Sequence, residues 1–225
     1  RVLFRSPVWP GSDFLNWPWV APGLFDLQVN GYGGIWFSSP TVTASEVATA
    51  VRKFLVHGVT CVLPTLITNS HAALLRGFQS IAEACQADPL VAKMVVGCHL
   101  EGPWLSPLDG PRGAHPREHI RPADWHEFSQ LQDASGGRIR LITIAPEIPG
   151  ALDFIRRAVA AGVTISIGHT AATTAEIRAA VDQGAKLSTH LGNGCHLQLP
   201  RHPNPIWDQL GESRLAASLS DRKST

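Results

Sequence analysis

A chain of 225 residues, 44% of them apolar and with a formal net charge of +1, is long enough to bury the core of one sizeable domain. Near-neutrality without a basic tail or an acidic run argues against nucleic acid as a partner, and no apolar stretch reaches the roughly 18 to 20 residues that a membrane span requires. Cys61, Cys85, Cys98 and Cys195 lack CxxC spacing, which disfavours a zinc knuckle or a disulfide framework and fits a soluble globular protein of the reducing cytoplasm.

Residues 1–20, RVLFRSPVWPGSDFLNWPWV, have neither the charged nor the apolar region of a signal peptide and read as an irregular lead-in. From Ala21 the chain alternates short strand-like runs with helix-like segments, the signature of βα units around a parallel sheet. PGLFDLQVN predicts the first strand, and the NGYGG that ends its region lacks GxGxxG spacing, so it reads as a tight turn rather than a phosphate loop. In TASEVATAVRKFLVHG, Thr43 is the expected N-cap, Glu46 completes a capping box and Gly58 is the stop. His57, just ahead of that glycine, is explained by the helix dipole. VTCVLPT, VVGCHLEG, RIRLITIAPE, VTISIGHT and AKLSTHL predict further strands, with RLAASLS a weak seventh; SHAALLRGFQSIAEACQ, GALDFIRRAVAAG and TAEIRAAVDQGA predict helices between them. Seven strands are one short of a closed barrel, which typically runs to about 250 residues. The expected fold is therefore α/β, a TIM-like barrel that is incomplete, with residues 21–219 as the catalytic domain and 220–225 as a polar tail.

Side chains of a strand alternate faces with period 2. His99 and Glu101 thus share a face in VVGCHLEG, as do Asp26, Gln28 and Asn30 in FDLQVN, and as do Ser188 and His190. Cys98 faces the other way and is expected to be a small buried hydrophobe. Polar groups on an inward face need partners or a task. Glu101, His169 and His190 each sit at the exit of a predicted strand, where a parallel barrel builds its active site. A carboxylate with two imidazoles is a donor set that a divalent ion such as zinc accepts, and three protein ligands with one open position is the catalytic form. The competing interpretation, hydrogen-bonded core histidines, weakens when three such residues share one rim.

APGLFDLQVNGYGG, GVTCVLPTLITNS, HLEGPWLS, RGAHP, IAPE, ISIGHTAAT and STHLGNG, in this order, closely resemble the metal-dependent N-acetylglucosamine-6-phosphate deacetylases of the amidohydrolase superfamily, over roughly Ala21 to Leu219. The resemblance implies that Glu101, His169 and His190 bind one divalent ion, zinc or else iron, manganese or cobalt. Gln28 and Asn30 stand where many superfamily members carry two histidines for a second metal, and amides are poorer ligands than imidazoles. The implied reaction removes the acetyl group of N-acetylglucosamine 6-phosphate to give glucosamine 6-phosphate and acetate. His115 of RGAHP would lie near the scissile group, Asn193 of HLGN would help hold the sugar phosphate, and Arg201 of LPRHP is a candidate phosphate contact. In relatives such an arginine can serve the neighbouring subunit, so the expected partners are the small-molecule substrate and, for the full-length protein, a second copy in a homodimer.

Two departures from the family stand out. The strand-8 aspartate that moves the proton in relatives has no match, since Asp208 falls in a surface helix and Asp221 in the tail, so no catalytic residue is assigned. HLGNGC replaces the usual HLFNAM, and Gly192 and Gly194 predict a more permissive loop. Another N-acyl or cyclic amide therefore remains an alternative substrate, and a non-enzymatic remnant an alternative fate.

Overall fold

The first strand of the computed structural model, β1 (Leu24–Val29), opens a description that covers residues 21–220; the lead-in and Asp221 lie outside the described residues. NGYGG is the turn of a hairpin, β2 (Gly31–Tyr32) and β3 (Ile35–Trp36), closed by Gly33 and Gly34 at φ 61° and 85°, backbone that glycine adopts without penalty. α1 (Ala44–Lys53) begins at the expected capping box, with Glu46 N donating to Thr43 Oγ1 and Thr43 N donating to Glu46 Oε2, and a short 3₁₀ turn, Phe54–His57, carries it to Gly58. His57 ends that turn, where the helix-end reading placed it, and its Nε2 also lies 2.6 Å from the Tyr32 hydroxyl of the hairpin.

β4 (Val59–Ile67), α2 (His71–Ala87) and β5 (Cys98–Glu101) follow as expected. Between the last two lies a helix the sequence reading missed, α3 (Pro89–Met94), with Asp88 accepting from Leu90 N and Val91 N and proline at its start. A second missed helix, α4 (Trp125–Ala134), is capped by Asp124 and ends the long segment that follows β5. The alternation then resumes with β6 (Ile139–Ile144), α5 (Ala151–Ala160), β7 (Thr164–Ile167) and α6 (Thr174–Asp182), the last opened by a second capping box of Thr173 and Glu176. β8 (Leu187–Ser188), α7 (Pro205–Leu210) and β9 (Ala216–Ala217) complete the described chain.

Seven strands form one parallel sheet in the order β1-β4-β5-β6-β7-β8-β9. Were it flat, β8 would run about 14 Å from β5, three strand spacings away. Yet His190, just past β8, has its Nε2 2.9 Å from Glu101 Oε1 on β5. The sheet is therefore curled, a partial barrel of α/β type, as the strand count predicted. Its convex face takes the helices, where Phe78, Ile81, Leu131, Phe154 and Ile177 are buried against Leu100, Ile142 and Ile165, each contributing about 1.5–3 kcal/mol by leaving water. Cys98 is fully buried in this layer and its thiol is pushed up by burial. A cavity of about 740 Å³ lies between β1 and β9, lined among others by Phe25, Gln28, His190 and Leu219.

Candidate metal centre

Glu101 is the last residue of β5, and His169 and His190 stand two residues beyond the ends of β7 and β8. Parallel register places those three exits at one rim. Glu101 Oε1 lies 3.1 Å from His169 Nε2 and 2.9 Å from His190 Nε2, and the two imidazole nitrogens are 3.2 Å apart. All three side chains are buried. His115 joins them, with its Nε2 3.2 Å from His169 Nε2; the potential ligand atoms of Glu101, His115 and His169 all lie within 4.8 Å of one another.

Hydrogen bonding alone leaves this cluster unbalanced. His169 Nδ1 is 2.9 Å from the Pro111 carbonyl and so carries the proton that it donates there. In the neutral ring Nε2 is then a bare lone pair, facing a carboxylate oxygen and two further imidazole nitrogens. That lone pair and the Glu101 oxygen, 3.1 Å apart, are two acceptors with no proton between them, which calls for a cation. Four ligands held at about 2.0–2.1 Å around a tetrahedral zinc stand roughly 3.3 Å from one another, close to the spacing of Glu101, His169 and His190. The donor set therefore fits a divalent metal in both chemistry and spacing, and Pro111 supplies the outer hydrogen bond that ligating histidines ordinarily make.

Electrostatics agree with that fit. Burial would raise the Glu101 carboxyl, but the His169 and His190 imidazoles packed against its Oε1 hold it well below the ordinary range, so it stays an anion. Gln28 Nε2 donates to its second oxygen, Oε2, at 2.9 Å and leaves Oε1 to the cluster. Burial, assisted by the nearby His169, pushes the His115 imidazole down to about 3. Its Nδ1 is 2.8 Å from Thr68 Oγ1, a hydroxyl able to donate or accept. Beneath the rim, burial takes His99 down to about 4. It is a core group in a chain of short contacts, Nε2 to Thr143 Oγ1 at 2.7 Å, Thr143 to Thr189 at 2.7 Å and Thr189 to Ser166 at 2.5 Å.

The other anticipated residues stand farther out. Asn193 is half-buried in the loop that leaves His190, with its N–H donating to His190 O at 2.9 Å. Asn30 is exposed, and its carbonyl accepts from Phe37 N. Arg201 is exposed and makes no ion pair among the described residues. Asp208 is engaged on α7, its Oδ2 accepting from Thr174 Oγ1. The expectation of a permissive HLGNGC loop needs correction at Gly194, where a Cβ would lie 2.9 Å from both Cα and N of His169. That glycine is there for close approach of two backbones. Sequence reasoning also missed Thr68, Pro111 and Glu147, whose carboxylate accepts from Thr170 Oγ1 and Ala171 N. IAPE was visible as a motif, but nothing in the sequence alone told which side chain Glu147 meets.

A profile of the amidohydrolase family matches residues 19–202, and the chain belongs to that family. The N-acetylglucosamine-6-phosphate deacetylase of Bos taurus is 37% identical over 186 residues, which cover 81% of this chain and 44% of the relative. The N-acetylgalactosamine-6-phosphate deacetylase of Shewanella sp. (strain ANA-3) is also 37% identical, over 83% of this chain and 45% of its own. A mutant N-acetyl-D-glucosamine-6-phosphate deacetylase from Mycobacterium smegmatis, solved in complex with N-acetyl-D-glucosamine-6-phosphate, superposes with a TM-score of 0.77 at 38% identity, covering 88% of this chain and 50% of that one. The chain thus spans about half the length of the proteins it matches.

Proposed function

We propose that this chain belongs to a metal-dependent hydrolase that removes the acetyl group from an N-acetyl amino sugar 6-phosphate, N-acetylglucosamine 6-phosphate first among them, leaving the amino sugar phosphate and acetate. The observation that carries this reading is the bare Nε2 of His169 turned toward Glu101 Oε1 and His190 Nε2. Glu101, His169 and His190 would hold one divalent ion, zinc or else iron, manganese or cobalt, with Gln28 and Asn30 at the first strand offering amides in place of a second set of imidazoles. When bound, such an ion polarises the acetamide carbonyl and makes its water a better nucleophile.

The chain's own residues prepare that chemistry. Gln28 fixes the Glu101 carboxylate from one side, and Pro111 fixes the proton of His169 on Nδ1. His115 is neutral, and with the Thr68 hydroxyl donating to its Nδ1, its Nε2–H stands 3.2 Å from the His169 lone pair and would turn to an acyl oxygen once that lone pair is engaged by an ion. Asn193 and Arg201 are assigned to the sugar phosphate, Arg201 in the manner of an exposed side chain that serves a second copy in a homodimer. Transfer of the proton to the leaving nitrogen falls to no described aspartate, since Asp26 Oδ1 accepts from Gln28 N and Asp208 is engaged on α7. The catalytic unit is proposed as residues 21–219 within a longer cytoplasmic enzyme.

Purified full-length protein supplied with N-acetylglucosamine 6-phosphate, its galactosamine epimer and unphosphorylated N-acetylglucosamine tests this reading. Both epimers belong in the panel because relatives named for each are equally identical to this chain. Turnover of a phosphorylated substrate that disappears in Glu101→Gln is the expected result. No turnover of any of them, or turnover that survives Glu101→Gln, would overturn it.

A further inference from the structure

His169 holds a left-handed backbone, φ 50°, which residues other than glycine seldom adopt and which persists only where the surroundings over-determine it. The ladder cannot supply that constraint, because the last β6–β7 pair is Ile144 with Ile167 and His169 lies beyond it. One side chain grips the residues that follow. Thr170 Oγ1 donates to Glu147 Oε2 at 2.6 Å and Ala171 N donates to Glu147 Oε1 at 2.7 Å, so both oxygens of the carboxylate are used in short, charge-assisted bonds. Thr170 is buried, and its hydroxyl also accepts from Ala172 N at 2.9 Å, which settles its orientation. Glu147 itself stands three residues past the end of β6 and is absent from the cluster of ligand atoms.

We infer that Glu147 is a positioning residue, whose carboxylate locks the turn after His169 in the left-handed bend that aims His169 Nε2 at the cluster. The inference rests on the reading of His169 as a metal ligand. Glutamine is a poor substitute on these terms. Its single carbonyl oxygen can serve Thr170 or Ala171 but not both, and its NH₂ presents a donor where the clamp needs an acceptor.

The test measures zinc affinity of the full-length protein by competition with a chromophoric chelator, together with the visible spectrum of the cobalt-substituted form. Glu147→Gln and Thr170→Val each break one side of the clamp; Glu176→Ala breaks the α6 capping box a few residues on and reports a loss of local helix stability alone. The zinc Kd should rise about 10- to 100-fold in both clamp variants, the range typical of outer hydrogen-bond partners of metal ligands, and the cobalt bands should shift. The Glu176 variant should keep both wild-type readouts. Wild-type affinity and spectra in Glu147→Gln and Thr170→Val would overturn the inference, as would equal losses in Glu176→Ala. A wild-type protein that binds no metal would instead overturn the ligand reading of His169 on which it rests.

Discussion

Gly194→Ala is a one-carbon change that should dislodge a proposed metal ligand without touching its side chain. The added Cβ would sit 2.9 Å from the Cα and N of His169 and 3.0 Å from its Cγ. Ordinary carbon contacts need about 3.4 Å or more, so His169 or the loop must move by roughly 0.5 Å. Metal–ligand bonds hold their lengths to within about 0.2 Å, so the displacement exceeds what the site tolerates. Overpacking of this kind costs about 1–3 kcal/mol, and each kcal/mol lowers Tm by about 2–4 °C in a chain of this size. Gly192→Ala is the internal comparison: φ there is 89° and the nearest atom to a Cβ is Ile206 Cδ1 at 3.8 Å, so it strains the backbone but does not reach His169. Isothermal titration with zinc and a thermal melt on both variants would separate the two effects. The expected pattern is metal affinity lost in Gly194→Ala and kept in Gly192→Ala, with both somewhat less stable. The reasoning fails if Gly194→Ala binds zinc like wild type, or if Gly192→Ala weakens binding more.

Two further outcomes concern the rest of the fold. Burial pulls the Glu127 carboxyl upward, but hydrogen bonds from Arg121 and His71 hold it below its ordinary 4.5; the stability it contributes is present above that value and is lost as pH falls through the lowered folded-state pKa. Glu127→Gln should therefore unfold at lower denaturant than wild type at neutral pH and converge with it in acid, and a gap that widens in acid would contradict the ion pair. Cys85 and Cys98 are buried, whereas Cys61 and Cys195 are half-exposed, and burial raises the thiols of Cys85, Cys98 and Cys195; access therefore decides the order, and a thiol reagent should modify Cys61 and Cys195 in native protein and Cys85 and Cys98 only on unfolding. Rapid labelling of Cys98 would show that the helix layer does not close over β5.

The strands and the metal-ligand candidates were legible because each carries a local signal. β-branched runs end at Glu101, His169 and His190, and period-2 alternation sets Glu101, with His99 and Gln28, on the inner face. The same count would put His169 with Ile165 on the helix side and His190 with Ser188, opposite the inward Ser166 and Thr189; the left-handed backbone of both histidines, φ 50° and 28°, turns them inward, and that bend is not legible in the sequence. A helix start was legible at Thr43, where a capping box wrote it; the second box, Thr173 with Glu176, opens one residue ahead of the predicted segment and emerged only in the structure. α3 escaped because its Asp-Pro start opens only a six-residue helix, too short to show a period. α4 escaped because WHEFSQLQDA buries only Glu127, Phe128 and Leu131, a thin apolar stripe inside a long polar segment. The supports of the site were illegible for a different reason. Pro111 and Thr68 act through contacts 58 and 47 residues distant in sequence, and Glu147 reaches the neighbouring strand's exit, so only folding brings them into range. Gly194 looked like freedom because a glycine's surroundings are invisible in sequence; with His169 beside it, the same residue is a constraint.

The most direct test of the account is the metal content of the purified protein, measured by plasma emission spectroscopy on wild type and on His169→Ala, His190→Ala and Glu101→Gln. Wild type should carry about one equivalent of a divalent metal, and each substitution should remove most of it while circular dichroism remains that of a folded α/β protein. Two equivalents in wild type, or a full equivalent retained when Glu101, His169 and His190 are replaced together, would contradict the central claim that these three side chains form a single metal centre.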